Sequence, residues 1–137
     1  MLLEGLLSLR HSGGEPMVRL YGPPDMDRRG GIIAFNVLDR DGRTVPYGLI
    51  EERASAAGVH LRGGCFCNPG AAEAAFRLDP ARLSACLDAI DTDFSIPALQ
   101  RCLGRDTAVG AVRASTGIAT QPRDLDRAIG VVASFRG

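Results

Sequence analysis

Apolar residues recur at helical spacing along several stretches of the chain, and these stretches alternate with polar turns rich in glycine and proline. The apolar stripes run through residues 2–9, 49–57, 83–90, 96–103 and 125–132, and an alanine-rich helical start follows Pro69. Asn68, Asp79 and Thr120 are placed to cap the N-termini of helices, and Gly58 stands where a left-handed C-terminal cap is wanted. The pattern predicts helices at both ends of the chain and more in the middle.

Four short apolar runs bounded by turn residues have the length and composition of β-strands. They cover residues 17–21, 32–38, 59–62 and 111–115. The combined order of helices and strands favours an α+β fold, with a small mixed or antiparallel sheet of about four strands packed with helices. A length of 137 residues suits one domain, so we interpret residues 1–137 as a single domain.

The charged residues exclude several classes of function. The chain has 16 basic residues against 16 acidic ones, and every basic residue is arginine. Without lysine the chain cannot itself form a Schiff base or carry a lysine-bearing phosphate loop. A formal net charge of zero, with no basic face in view, disfavours nucleic acid and anionic membranes as partners.

Targeting and cysteine signals favour a cytoplasmic protein. The opening apolar stretch is interrupted by Glu4, and no run approaches the roughly 18 apolar residues that a membrane span needs. The four cysteines do not have the spacing of a disulfide scaffold, which favours a reducing compartment. Cys86 and Cys102 lie on apolar helical stripes, so we expect them to be free thiols that pack in the core.

The segment with the sharpest chemical signal runs from Arg62 to Gly70 and reads RGGCFCNPG. It predicts a strand end, a glycine turn and a helix capped by Asn68. A thiol at Cys67 would lie near the unpaired amides at the helix start, which favour a thiolate, and Arg62 would add to this effect. Two alternatives stay open: Cys65 and Cys67 as small apolar residues of a turn, or all four cysteines as zinc ligands, which is the less favoured.

Arg113 is a charged residue inside an apolar strand pattern, AVRAS. On a solvent-facing strand it would be an ordinary surface residue, whereas on a ligand-binding face its guanidinium would suit a carboxylate. Asn36, within the second predicted strand, is interpreted as a hydrogen-bonded buried amide. His11 and His60 have no acid or cysteine at a matching spacing, so we interpret both as structural residues.

Three motifs, in this order, resemble the C-terminal small domain of class V aminotransferase-fold enzymes. They are GGIIAFN at residues 30–36, VHLRGGCFCNPGA at residues 59–71 and GAVRASTG at residues 110–117. Within that group the chain is most similar to the molybdenum cofactor sulfurases and their cysteine desulfurase relatives. The likeness covers nearly the whole chain. It departs from the family at Ala72, where a cysteine is common, and at Thr116, where an aromatic residue is usual.

The resemblance implies a partial active site. Members of the family bind pyridoxal phosphate through a lysine of a large N-terminal domain, and they withdraw sulfur from L-cysteine as a persulfide on an active-site cysteine. Cys67 matches that sulfur-accepting position, Arg113 the arginine that anchors the substrate carboxylate, and Arg62 a second arginine at the edge of the site. Cys65 and Asn68 are the expected accessory residues. The resemblance implies neither a cofactor-binding residue nor a metal ligand in this chain.

Two hypotheses of function follow. In the first, the chain is the small domain of a desulfurase-like or sulfurase-like enzyme, either truncated from a longer polypeptide or paired with a large pyridoxal phosphate-binding subunit. It is then inactive alone because it has no lysine, and its partners are L-cysteine and a sulfur acceptor. In the second, it is a stand-alone sulfur-acceptor or binding module, or an inactive remnant. The first is favoured, since an isolated small domain would expose the apolar face that meets the large domain.

Overall fold

A computed structural model describes residues 1–66, 68–104 and 107–137 of the chain. The chain divides into two compact units. Unit 1 consists of Met1–Gly63 and Val112–Gly137, and unit 2 consists of Gly64–Ala111. The assignment of residues 1–137 to a single domain stays a prediction. No helix in the described parts of the chain is long and apolar enough to cross a membrane.

Four strands form one sheet, which confirms the predicted α+β fold. The strands are β1 (Val18–Tyr21), β2 (Ile32–Val37), β3 (Arg62–Gly64) and β4 (Ala111–Ser115), and their order across the sheet is β1-β2-β4-β3. β2 pairs antiparallel with both β1 and β4. The third strand begins three residues later than predicted, because residues 59–61 lead into the sheet without pairing in it.

Helices occupy the predicted stretches. They are α1 (Leu2–Ser8), α2 (Tyr47–Ala56), α3 (Pro69–Phe76), α4 (Pro80–Ile90), α5 (Ile96–Leu103) and α6 (Pro122–Ala133), with a 3-10 turn over Asp91–Asp93 between α4 and α5. Gly58 has the predicted left-handed backbone, with φ of 66°. Asp79 precedes α4, and its Oδ1 accepts a 3.2 Å hydrogen bond from the amide of Ala81, as expected of an N-cap.

The predicted cap of the last helix is wrong. Thr120 does not cap α6, because its hydroxyl accepts a 2.9 Å hydrogen bond from the amide of Gly117 in the preceding turn. The N-cap is Gln121, whose own amide donates to the Asp124 carboxylate over 2.9 Å. This reciprocal arrangement is a capping box, which satisfies two amides that the start of a helix leaves unpaired.

Side chains alternate across the sheet of unit 1 and give it two different faces. The inner face carries Val18, Ile33, Phe35, Val37, Val112 and Ala114, which pack with Leu2, Leu3 and Leu6 of α1, Ile50 of α2 and Ala128 and Val132 of α6. A fully buried side chain of this kind stabilises the fold by on the order of 2 kcal/mol. The outer face carries the alternate residues Arg19, Tyr21, Ala34, Asn36 and Arg113.

Two polar residues of unit 1 are buried and hydrogen-bonded, which confirms the prediction for Asn36. Asn36 is 2% exposed, and its Nδ2 donates to the Tyr21 hydroxyl over 2.9 Å. His11 accepts from the amide of Gly137 at Nδ1 over 3.1 Å, while its Nε2 lies 3.0 Å from the carbonyl of Leu38. A neutral imidazole satisfies both bonds, which agrees with a structural role.

Unit 2 has its own small core, held by a disulfide. Cys86 of α4 is buried with Leu99 and Leu103 of α5 and with Val109. Cys86 and Cys102 form a disulfide, so the expectation that both are free thiols is wrong. The packing of α4 against α5 brings their Cα atoms to 5.8 Å, within the range that a disulfide spans. Leu87, on the predicted apolar stripe over residues 83–90, is 43% exposed, whereas its neighbour Cys86 is buried.

We expect Gly63→Ala to lower the free energy of unfolding of the chain by about 2 kcal/mol, because an added methyl group would overpack the interior. A Cβ at Gly63 would lie 2.9 Å from Cβ of Tyr47 and closer still to its ring, so turning the ring alone cannot relieve the overlap. Gly48→Ala is the matched control, since its Cβ would meet nothing within 4 Å. Urea unfolding of both variants measures the difference, and equal stabilities would contradict this packing.

Candidate functional site

Arg113 lies on the outer face of the sheet. It stands opposite Ala34 of β2, and its neighbours Val112 and Ala114 are buried on the inner face. Its side chain is exposed. A strand interior fixes the direction in which the side chain leaves the backbone. The guanidinium is thus carried on a rigid element and is open to solvent, and its paired donors suit a carboxylate.

Arg62 lies on the same face, on the strand next to β4. The Cα–Cβ direction of Gly63 points to Tyr47 of α2, a residue packed against the core of unit 1. Since side chains alternate along a strand, the exposed Arg62 points to the opposite, outer face. The structure therefore brings two of the predicted site residues, Arg62 and Arg113, to neighbouring strands and one face.

Cys67 lies outside the described residues. Its neighbour Asn68 is described, and Asn68 is the N-cap of α3 as predicted: its side-chain oxygen accepts a 3.1 Å hydrogen bond from the amide of Ala71. Pro69 is the first helical residue. Asn68 therefore acts on the helix start, and a thiolate at Cys67 stays a prediction from the position of that residue one place before the cap.

Cys65 belongs to unit 2, and its thiol is held as a hydrogen-bond donor. Its Sγ donates to the carbonyl of Val109 over 3.1 Å. Burial raises the pKa of the Cys65 thiol, because the charged thiolate loses solvation. The Cys65 thiol is therefore protonated at neutral pH and is a weak nucleophile in that form.

The raised pKa of Cys65 predicts slow alkylation. We expect the reaction of iodoacetamide with a Cys67→Ser chain, in which the disulfide is intact, to accelerate at a higher pH in the folded chain than in the same chain unfolded in urea. The sign follows because the thiolate reacts, and a raised pKa in the folded state keeps the thiol protonated to higher pH. The rate of mass gain against pH measures this profile. A lower midpoint for the folded chain than for the unfolded chain would contradict the raised pKa.

Sequence reasoning missed a polar cluster on the outer face beside Arg113. Tyr21 shares a row of the sheet with Ala34 and Arg113, and its hydroxyl accepts a 2.9 Å hydrogen bond from Asn36. Burial raises the pKa of Tyr21, while the charge and hydrogen bond of Arg19 act in the opposite direction. The signal was present in the sequence: Arg19 alternates with Val18 and Leu20 in the way that Arg113 alternates with its neighbours.

Thr116, one of the departures from the family pattern, closes the end of this sheet. Its hydroxyl donates to the carbonyl of Gly31 over 3.1 Å, and its amide donates to the same carbonyl over 2.8 Å. A Cβ at Gly31 would overlap Thr116, so the glycine is required for this close approach. Thr116 therefore ties the end of β4 to the start of β2.

The residues of this chain do not fit the covalent attachment of pyridoxal phosphate, because that attachment needs a lysine and the chain has none. They do not fit the four-cysteine zinc site either, since Cys86 and Cys102 are joined to each other. Among the described residues, no group of three or more histidine, cysteine or carboxylate side chains is placed to hold a metal ion.

Sequence comparison relates this α+β chain to a segment of larger proteins, the sulfurases. These relatives are named molybdenum cofactor sulfurase. One from Drosophila melanogaster is 37% identical over 144 residues, which cover 97% of this chain and 17% of that protein. One from Pyricularia oryzae is 32% identical over 146 residues, covering 98% and 16%. One from Bos taurus is 42% identical over 71 residues, covering 50% and 8%. No protein-family model matches the chain.

The chain spans about a sixth of the length of the Drosophila melanogaster and Pyricularia oryzae relatives, 17% and 16%. It therefore corresponds to a sulfurase-related segment, and the match runs through both of its units because it covers nearly all of the chain.

Proposed function

We propose that this chain is the substrate-carboxylate and sulfur-accepting part of a pyridoxal phosphate-dependent sulfur transferase. In this proposal Arg113 binds the carboxylate of L-cysteine, Arg62 stands at the edge of the same site, and Cys67 accepts the sulfur. The observation that carries the proposal is the placement of Arg62 and Arg113 on one face of adjacent strands, in a chain related over 97% of its length to a protein named as a sulfurase.

The two arginines suit an amino-acid carboxylate for electrostatic reasons. Each guanidinium offers paired N–H donors that match the two oxygens of a carboxylate, and both stay charged at any physiological pH. Neither forms an ion pair with an aspartate or glutamate among the residues described. Their charge is therefore available to an incoming anion instead of being neutralised within the described chain.

The proposed chemistry at Cys67 balances without an external oxidant. The Cys67 thiolate attacks the sulfur of L-cysteine, an S–S bond forms, and the C–S bond of the substrate breaks. The electron pair of that bond and a proton remain with the carbon, so the products are alanine and a Cys67 persulfide. Pyridoxal phosphate, held by a lysine of another polypeptide segment, would supply the electron sink for this cleavage.

The proposal requires a large domain or subunit with a cofactor-binding lysine. It requires neither a metal ion nor nucleic acid. In a second step, a nucleophile of the sulfur acceptor attacks the outer sulfur of the Cys67 persulfide and takes that sulfur.

The test is the intact mass of the purified chain after incubation with L-cysteine and pyridoxal phosphate, with and without the lysine-bearing large domain of a desulfurase. We expect one added sulfur, mapped to Cys67, only when the large domain is present. Cys67→Ser should remove this sulfur, whereas the matched variant Cys65→Ser should retain it. A further incubation replaces the large domain and L-cysteine with a persulfide donor. Sulfur added to Cys67 under that condition alone would favour the stand-alone acceptor module. No added sulfur under any condition would indicate an inactive remnant of the fold.

A further inference from the structure

We propose that Arg19 is a further anion-binding residue on the outer face, held in place by Tyr21 and Asn36, and that this face binds a small ligand with two anionic groups. The proposed function assigns one anionic group, a carboxylate, to Arg113. The second group would be a carboxylate or a phosphate, which share charge and acceptor oxygens.

The strands carry an excess of positive charge. Three of the four strands carry an arginine, namely β1, β3 and β4, and no strand contains an aspartate or glutamate. Arg19, Arg62 and Arg113 are all exposed, and none forms an ion pair among the described residues. The carboxylate of Glu51, from α2, bonds to the amide of Gly63 in β3 over 2.7 Å and not to an arginine of the sheet. A single carboxylate neutralises one of the three cations and leaves a site for a second anion.

Arg19 lies beside a fixed hydroxyl on the outer face. Its charge and hydrogen-bonding capacity act on the pKa of Tyr21, and the Tyr21 hydroxyl accepts a 2.9 Å hydrogen bond from Asn36, which is 2% exposed in β2. A buried amide on a strand has a fixed position, so the hydroxyl that it holds is fixed as well. Arg19 is thereby oriented over the sheet, and a preoriented guanidinium binds an anion with a smaller loss of side-chain entropy.

The spacing of Arg19 and Arg113 suits one small dianion. Arg19 stands opposite Asn36, and Arg113 stands opposite Ala34, two residues along the same strand. Two strand spacings and one two-residue step separate the two arginines, so their Cα atoms are about 12 Å apart. Two long side chains that converge from this distance can meet the two ends of one small dianion, with Ala34 between them.

The test uses anion titrations of the 137-residue chain, followed by NMR of the arginine Nε–Hε groups at neutral pH and constant ionic strength. The probes are acetate, with one carboxylate, and succinate, with two. We expect succinate to bind about tenfold more tightly than acetate and to shift the signals of both Arg19 and Arg113. Arg19→Gln should reduce the affinity for succinate to that for acetate while leaving acetate binding unchanged.

Two further variants test the anchoring and the location. Tyr21→Phe keeps the ring but removes the oxygen, so we expect it to lower succinate affinity about threefold with acetate unaffected. Arg123→Gln removes an exposed arginine from α6, in the helical layer, and should change neither affinity. Equal affinities for the two anions, or no effect of Arg19→Gln, would overturn the proposal. It would also be overturned if Arg19→Gln weakened only the association with a large domain, because Arg19 would then pair with an acidic protein surface. No step of the test involves sulfur, so its failure is distinct from a failure at Cys67.

Discussion

Replacing Arg113 by glutamine should lower kcat/KM for L-cysteine by about 100-fold in the enzyme reconstituted with a large domain, equivalent to about 3 kcal/mol. Arg113 stands opposite Ala34 in the interior of β4, and its guanidinium fork matches both oxygens of a carboxylate. Glutamine keeps much of the length but removes the charge and one of the paired donors. The loss should appear mainly as a higher KM, because the carboxylate is bound in the ground state as well as in the transition state.

Cysteamine separates this role from a general loss of structure, since it has the thiol and amine of cysteine without the carboxylate. Its inhibition constant should be the same for the wild-type enzyme and for Arg113→Gln. Arg123→Gln, also exposed, serves as the matched control and should leave kcat/KM unchanged. If Arg113→Gln weakened cysteamine and L-cysteine equally, or changed neither, the carboxylate assignment would be wrong.

Much of the fold could be predicted because the hydrophobic pattern and the turn residues agree. In β2, Phe35 and Val37 alternate with Ala34 and Asn36, and because side chains alternate along a strand, Phe35 and Val37 face the core. Asn68 and Asp79 capped the predicted helices because a short side chain before a helix satisfies its unpaired amides. Thr120 failed as a cap because its hydroxyl bonds to the preceding turn, a competition that the residue type alone does not reveal.

The candidate site could be predicted only in part, since it is assembled from strands that are distant in sequence. Arg113 could be identified as a charge inside an apolar strand. Arg19 shows the same pattern, but its place beside Tyr21 and Asn36 could not be predicted, because it depends on the pairing of β1 with β2. Spacing along the chain does not specify which strands are neighbours. Strand order, and with it the grouping of arginines on one face, had to come from the structure.

The cysteines show the same limit in unit 2. Cys65 and Cys67 are close in sequence and draw attention, yet the disulfide forms between Cys86 and Cys102, on different helices. Helical periodicity correctly placed Cys86 in a core, and burial is typical of free cysteine. Pairing depends on how α4 packs against α5, a tertiary contact that neither helical stripe encodes alone.

Reduction of the Cys86–Cys102 disulfide should lower the free energy of unfolding of unit 2 by about 3 kcal/mol, the effect expected when a loop of roughly 15 residues is opened. The two cysteines are 16 residues apart, and the bond restricts the unfolded chain. The effect is large for this unit because the cluster of buried residues around the disulfide is small; it consists of Cys86, Leu99, Leu103 and Val109. Urea unfolding and amide hydrogen exchange of α4 and α5, with and without a reductant, measure the loss.

A chain with Cys86→Ala and Cys102→Ser provides the matched comparison. Alanine suits the buried position 86 and serine the exposed position 102, so neither substitution buries an unpaired hydroxyl. This variant should unfold like the reduced wild-type chain and should not respond to reductant, whereas Cys65→Ser should keep the full response. The loss should be confined to α4 and α5, with α1 and α6 of unit 1 exchanging as before. A reductant that changed the exchange of both units equally would show that the disulfide does not act locally, and a wild-type chain with all four thiols free would contradict the pairing itself.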